Sequence, residues 1–209
     1  TYYYATASKF DGNNPLMNRK TGAMYLELVG IAAEKYSKNG GDPTANASLI
    51  SDVGKWKNYA LDFTRRSIDV DPAIYSNWET RAQVYMGLVG MGFKDYASDS
   101  LYSLQKAAEL NPLNYDLYYS EAQVYLINGD KDYALSSLTK VLSINAQHIP
   151  SLMLAADINN QKGNTTVYES YLKAAKKILE TTSQTNTDVY KQITDKLNEI
   201  AAKTTETAK

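Results

Sequence analysis

Positions 34 residues apart in this chain carry matching residue types, and this recurrence limits the fold more than any other feature. Leu104, Leu138 and Leu172 share the offset, as do Ala107, Val141 and Ala175, the pair Ala122 and Ala156, and the pair Gly129 and Gly163. Three stretches end alike: Ser67 to Pro72, Ala107 to Pro112, and Val141 to Ala146, the first offset being 40 residues and the second 34. A unit of this length cannot bury its own apolar face, so it must stack on neighbours and share a core with them.

Between these marks the pattern is that of paired helices. Trp78, Ala82 and Tyr85 form an i, i+4, i+7 stripe, and Tyr118, Ala122 and Tyr125 repeat it one unit later. Asn128-Gly129-Asp130 then supplies a turn, because Gly accepts the left-handed conformation that ends a helix. A second helix carries Ala134, Leu138 and Val141 inward. The helix before it stops at Asn111-Pro112, since the residue preceding Pro avoids helical dihedrals. Small Ala residues at the crossing points let two helices approach, and the aromatic beside each fills the remaining space.

The spacing Trp78-x2-Arg81-Ala82-x2-Tyr85, followed by Leu104, Ala107 and Pro112, resembles the tetratricopeptide consensus W-x2-L-G-x2-Y…A-x3-F…P. A second unit, with Tyr118, Glu121, Ala122, Tyr125, Gly129, Ala134 and Leu138, fits better. A third has Leu152, Ala156, Gly163, Leu172 and Ala175, with Asn159 where Tyr is usual. An earlier, distorted unit pairs a helix over residues 23–38 with one over 55–70 that carries Ala60 and ends at Pro72. The resemblance covers residues 23–180 in three to four units. It implies an all-α fold, a right-handed superhelical array of antiparallel helix pairs, without a sheet.

The departures from the consensus are informative. Arg81 and Glu121 stand where an apolar residue is usual, which predicts looser or locally polar seams. One insertion spans residues 40–54, opening on Gly40-Gly41-Asp42-Pro43. Another lies near residues 87–95, where Gly87, Gly90 and Gly92 among apolar residues predict a helix extension and then a bend, not a regular turn. Insertions in solenoids gather on one face, often the binding face, although tolerated loop drift explains them equally well.

The Tyr-rich lead-in, the stretch from Asn77 to Tyr85, the apolar-glycine insertion and the regular repeats together resemble the soluble tail of bacterial O-antigen ligases and polymerases. That texture implies an accessory domain on the extracytoplasmic side of a bacterial membrane. The start at Thr1, without Met or signal peptide, reads as the edge of a piece cut from a longer protein.

At the ends, residues 1–22 read as a polar lead-in with a turn at Asp11-Gly12-Asn13-Asn14-Pro15. A calcium loop is excluded there because the further acidic ligands are missing. Residues 181–187 form a linker of poor helix formers. Val189, Ile193, Leu197 and Ile200 then mark an amphipathic helix over 188–203, entered through Thr187 or Asp188. Its expected task is to cover the last open seam; docking on a partner is the rival role. Frayed residues are expected from Lys203 to Lys209.

Composition narrows the function classes. With 22 basic and 23 acidic residues the net charge is -1, which gives no electrostatic footprint for nucleic acid or an anionic membrane. No apolar run is long enough to span a bilayer. The absence of Cys excludes disulfides, thiol nucleophiles and Cys-ligated metals. The 18 Tyr against 3 Phe suit half-buried seams and wet binding faces alike. His148 is the only His and sits in a turn beside Ile149-Pro150, where a surface role is expected. No HExxH, P-loop or dinucleotide fingerprint is present. No catalytic residue, metal or cofactor is therefore expected of this chain. Arg65 and Arg66 point about 100 degrees apart on a helix, so at most one faces a ligand, and one should pair with Asp62 or Asp69.

By the resemblance, the first helix of each unit lines a concave groove that holds a peptide. The residues placed there are Glu34, Glu79, Gln83, Met86, Tyr119, Gln123, Met153 and Asp157. Family members that grip a C-terminal carboxylate use Lys and Asn at such places, and those are missing. The aromatic, amide-rich and faintly acidic surface that results suits a neutral or basic peptide segment, and it would also suit a glycan. Tyr119 is expected to point outward as an anchor while Tyr118 and Tyr125 turn into the seam. Two readings follow: a protein- or peptide-binding scaffold, or the accessory domain of a membrane glycan ligase. The sequence upstream of Thr1 would separate them.

Overall fold

The computed structural model describes residues 12–207, with side chains through Ala202. Its helices are α1 (Pro15–Lys38), α2 (Ala47–Val70), α3 (Tyr75–Gly90), α4 (Ala97–Leu110), α5 (Tyr115–Ile127), α6 (Lys131–Ile144), α7 (Ile149–Gln161), α8 (Thr165–Thr181) and α9 (Asp188–Thr207), with a short 3-10 turn at Lys94–Tyr96. No strand occurs among the described residues. The fold is an all-α array of antiparallel helix pairs. The chain divides into two compact units within α5, between Leu117 and Tyr118.

In the first unit α1 pairs with α2, α3 pairs with α4, and α3 also packs on α1 and α2. Val29, Ala60, Val84 and Leu88 form its centre, with Tyr25, Trp56 and Met91 packed against them. Gly22 lets α1 and α2 touch: a Cβ there would lie 2.6 Å from Thr64 Cγ2 and 3.1 Å from the Ala60 carbonyl. In the second unit two clusters share the work. Ala122, Ala134, Leu138, Ala155 and Ile158 join α5, α6 and α7. Leu152, Ala156, Leu172, Ala175, Leu179 and Ile193 join α7, α8 and α9. Each fully buried Leu or Ile there contributes about 1.5–3 kcal/mol by leaving water.

The repeat is visible in the turns. Gly129 and Gly163 have φ of 86° and 76°, and each ends its helix in the same way. Asp130 N–H donates to the Tyr125 carbonyl at 2.8 Å, and Asn164 N–H donates to the Asn159 carbonyl at 2.9 Å. Gly92, at φ 98°, makes the same closure, with Phe93 N–H donating to the Leu88 carbonyl at 3.0 Å. The glycine-rich insertion thus lengthens α3 as expected, but it ends in the same glycine stop as the regular units and not in an irregular bend.

Several boundaries differ from the expected ones. The first helix begins at Pro15 and not at residue 23. Asn14 caps it by accepting from Met17 N–H, and Pro15 occupies the first turn, where its missing N–H costs nothing. The expected turn is present at Gly12 and Asn13, and its Asn14-Pro15 end is at the same time the helix start; Asp11 lies outside the described residues. The second helix begins at Ala47 and not at 55. Buried Asn46 shortens the loop by donating to the Asp42 carbonyl at 2.9 Å and accepting from Asn39 Nδ2 at 2.9 Å. At the far end α9 runs on to Thr207, past residue 203.

Candidate functional site

The two polar substitutions in the seams are satisfied where they lie. Glu121, buried on α5, accepts from Ser137 Oγ of α6 at 2.7 Å. Arg81 on α3 donates to the Leu61 carbonyl at 3.1 Å and to the Tyr85 hydroxyl at 2.6 Å, and its guanidinium stacks 5.0 Å from the Tyr85 ring. Both seams are locally polar, not loose. Asn159, in the place of the usual Tyr, is buried and donates to the Ala155 carbonyl at 2.8 Å. It also accepts from Asn164 Nδ2, so it ties α7 to the turn that follows.

The first-helix residues of unit one behave unequally. Glu34 is exposed and paired with Lys38 at 2.5 Å, as a surface i, i+4 pair. Gln83 is exposed and Met86 half-buried on α3. The Gln83 amide takes no hydrogen bond from the described residues. Glu79 is half-buried, and burial pushes its carboxyl above the usual range; Asp116 repels the charge further, while Arg19 and a hydrogen bond from Asn114 act against both. Arg19 itself donates to Ser76 Oγ and keeps its Nε buried without a hydrogen-bond partner.

In unit two Tyr119 is half-buried, packed beside Ala122, Ala134 and Leu138, with its ring edge-on to His148 at 5.2 Å. It does not project freely, because the turn before α7 brings His148 against it. His148, where a surface role was expected, is half-buried: it precedes α7, and its Nδ1 lies 2.7 Å from Ser151 Oγ. Tyr118 and Tyr125 are half-buried, the first under the Lys140 ammonium and the second stacked on Tyr133. Gln123 is half-buried, with an amide that likewise takes no hydrogen bond from the described residues. Met153 packs against the cluster that α9 helps to form. Asp157 is paired with Lys196 of α9 at 2.8 Å. The last helix therefore occupies part of the face assigned to α7.

Two further clefts open in unit one. One, of about 290 Å³, lies among α2, α3 and α4 and is lined by Arg65, Asp69, Trp78, Arg81, Asp99 and Tyr102. Arg65 reaches it while pairing with Asp62 at 2.9 Å and Asp69 at 2.6 Å; Arg66 instead pairs with Asp62 at 2.7 Å. The other, of about 340 Å³, is apolar and lined by Ala33, Tyr36, Leu49, Ile50, Val53, Met91 and Phe93. The two insertions carry the signal for it, since Leu49 to Val53 come from one, and Met91 and Phe93 from the other. Among the described residues no three His, Asp or Glu side chains are grouped to hold a metal, and no helix is long and apolar enough to cross a membrane.

Residues 103–136 match the tetratricopeptide repeat family. Among solved structures, MamA is similar to 87% of this chain over 87% of its own, at 20% identity and a TM-score of 0.63. TTC0263, a thermophilic tetratricopeptide protein of Thermus thermophilus, aligns with 90% of this chain over all of its own length, at 18% identity and a TM-score of 0.53. The translocator chaperone SycD of Yersinia enterocolitica aligns with 63% of this chain over 96% of its own, at 14% identity and a TM-score of 0.51. No curated protein matches the chain.

Proposed function

We propose that this chain, a tetratricopeptide-repeat protein in its fold, is an interaction module that holds a peptide segment of another protein against its first helices. The observation that carries the reading is an unsatisfied amide on a first helix of each unit, taken separately: Gln83 on α3 and Gln123 on α5. Gln83 and Gln123 take no hydrogen bond from the described residues, and helical spacing puts Met86 three residues after the first and Tyr119 four before the second. An amide presents two donors and an acceptor, the set that an extended peptide backbone needs. Met86 adds an adaptable apolar contact near the first amide. Glu79 and Asp116 give unit one an acidic spot, where a Lys or Arg of the ligand would favour the charged form of a Glu79 carboxyl that burial first, and Asp116 second, lifts above its usual range.

A chaperone among the structural neighbours fits this reading. The glycan-handling alternative draws on the aromatic and amide groups alone, and none of the neighbours named above is a ligase or polymerase. Selection of a displayed random dodecapeptide library on the protein tests the proposal. It expects binders whose affinity falls at least tenfold in Gln83→Arg or Gln123→Arg while the melting temperature stays unchanged. A library that yields no binder, or only binders indifferent to both variants, would contradict it.

A further inference from the structure

The apolar cleft at the end of unit one brings together two irregularities that lie 40 residues apart in the chain. Leu49, Ile50 and Val53 stand in the first turns of α2, within the insertion after the first helix. Met91 and Phe93 stand in the turn that follows α3, within the glycine-rich insertion. Ala33 and Tyr36, near the end of α1, complete the wall. Loops that merely drift have no reason to converge, whereas these two build one cavity of about 340 Å³, at the lower end of the range for ligand sites. Ile50 lines its mouth with 45% of its surface in water, so its aliphatic face is accessible to a side chain that enters the cleft.

A charge lies at its edge. The Lys57 ammonium is held 5.1 Å from the centre of the Phe93 ring and 5.6 Å from that of Tyr96. It makes no ion pair among the described residues, although the chain has more acidic than basic groups. The two rings fix it beside the cleft by cation–π attraction, worth about 0.5–1 kcal/mol at an exposed site, and leave its hydrogens for an anion.

We infer that this cleft anchors a partner segment in which one or two apolar side chains stand next to an acidic residue, the former entering between Ile50, Met91 and Phe93 and the latter meeting Lys57. The inference rests on the interaction-module reading but places a second, separate contact on it. Its specificity is opposite to that of the Glu79 region, which favours a cation, so the two contacts would fix the direction in which a segment lies.

Two variants test it with the same displayed dodecapeptide library. Ile50→Asp places a carboxylate in the cleft mouth and, being near the start of α2, is compatible with the helix; its helical circular dichroism and melting temperature are measured first and should match the parent. Lys57→Glu reverses the charge. Peptides selected on the parent should pair apolar residues with Asp or Glu and lose at least tenfold in affinity on Ile50→Asp. Peptides selected on Lys57→Glu should carry Lys or Arg at the acidic place. Binders that ignore both variants but are lost on Gln83→Arg or Gln123→Arg would overturn the cleft while leaving the first-helix reading intact. Failure to select any binder would overturn both. A parent that self-associates where Ile50→Asp does not would show a second copy as the occupant and also overturn the inference.

Discussion

Asp157 of α7 and Lys196 of α9, 39 positions apart in the chain, meet as an ion pair at 2.8 Å. The hydrogen bond that Lys196 donates to Asp157 holds its ammonium above the ordinary range, against the opposing effect of burial. Both side chains are partly in water, so the pair itself contributes at most about 1 kcal/mol. The apolar contact beneath it matters more. Ile193 is fully buried against Leu172 and Ala175. Ile193→Ala should cost about 2–5 kcal/mol in urea unfolding and Asp157→Ala under about 1. If the order were reversed, α9 would be held by charge and not by the seam it covers.

Ala122 has no accessible surface where α5, α6 and α7 meet. Ala122→Trp should destabilise by at least about 1–3 kcal/mol, the usual cost of overpacking, because Leu138 and Ile158, both buried, already fill the same cluster. Chemical denaturation with an unchanged midpoint would mean that the helix register is wrong.

Gly90 and Gly92 are two residues apart and should respond oppositely to Ala. Gly90 is helical, and an added Cβ would meet nothing within 4 Å, so Gly90→Ala should stabilise by about 0.4–1 kcal/mol. Gly92 has φ 98°, which a side chain resists, so Gly92→Ala should cost roughly 1–2 kcal/mol. Thermal melts of the two variants check both signs.

Glu79 offers a pH test. Burial raises its folded-state value above that of the unfolded chain. Its contribution to stability is then full at pH below the unfolded value, near 4.5, and is lost as pH rises through the folded one. Glu79→Gln, which stays neutral, should melt with the parent near pH 3 and above it at pH 7. A variant that melts lower at pH 7 would show that the interaction with Arg19 outweighs burial.

Much of the array was legible because repeats write the same physics several times. Ala122 and Ala156 both report a helix crossing, and Gly129 and Gly163 both report a left-handed stop. The Asn-Pro helix start at residues 14 and 15 was not legible, since the same dipeptide opens turns and helices alike and only the cap to Met17 decides between them. Of the face, spacing offers only candidates such as Gln83 and Gln123, and a period cannot show that His148 folds back on Tyr119 or that Lys196 reaches Asp157. These contacts come from turns and from the last helix, where the repeat no longer constrains the chain. The apolar cleft was present only as two insertions, and no local pattern says that they meet.

Backbone-amide NMR of the protein, titrated with a peptide selected from the library, tests the central claim most directly. Peptide binding on the first helices should shift the side-chain amide resonances of Gln83 or Gln123 in a saturable way, together with neighbouring backbone amides of α3 or α5. Resonances on the outer surfaces of α4, α6 and α8 should stay in place. Saturable shifts confined to those second helices, with both Gln side chains unmoved, would contradict the account.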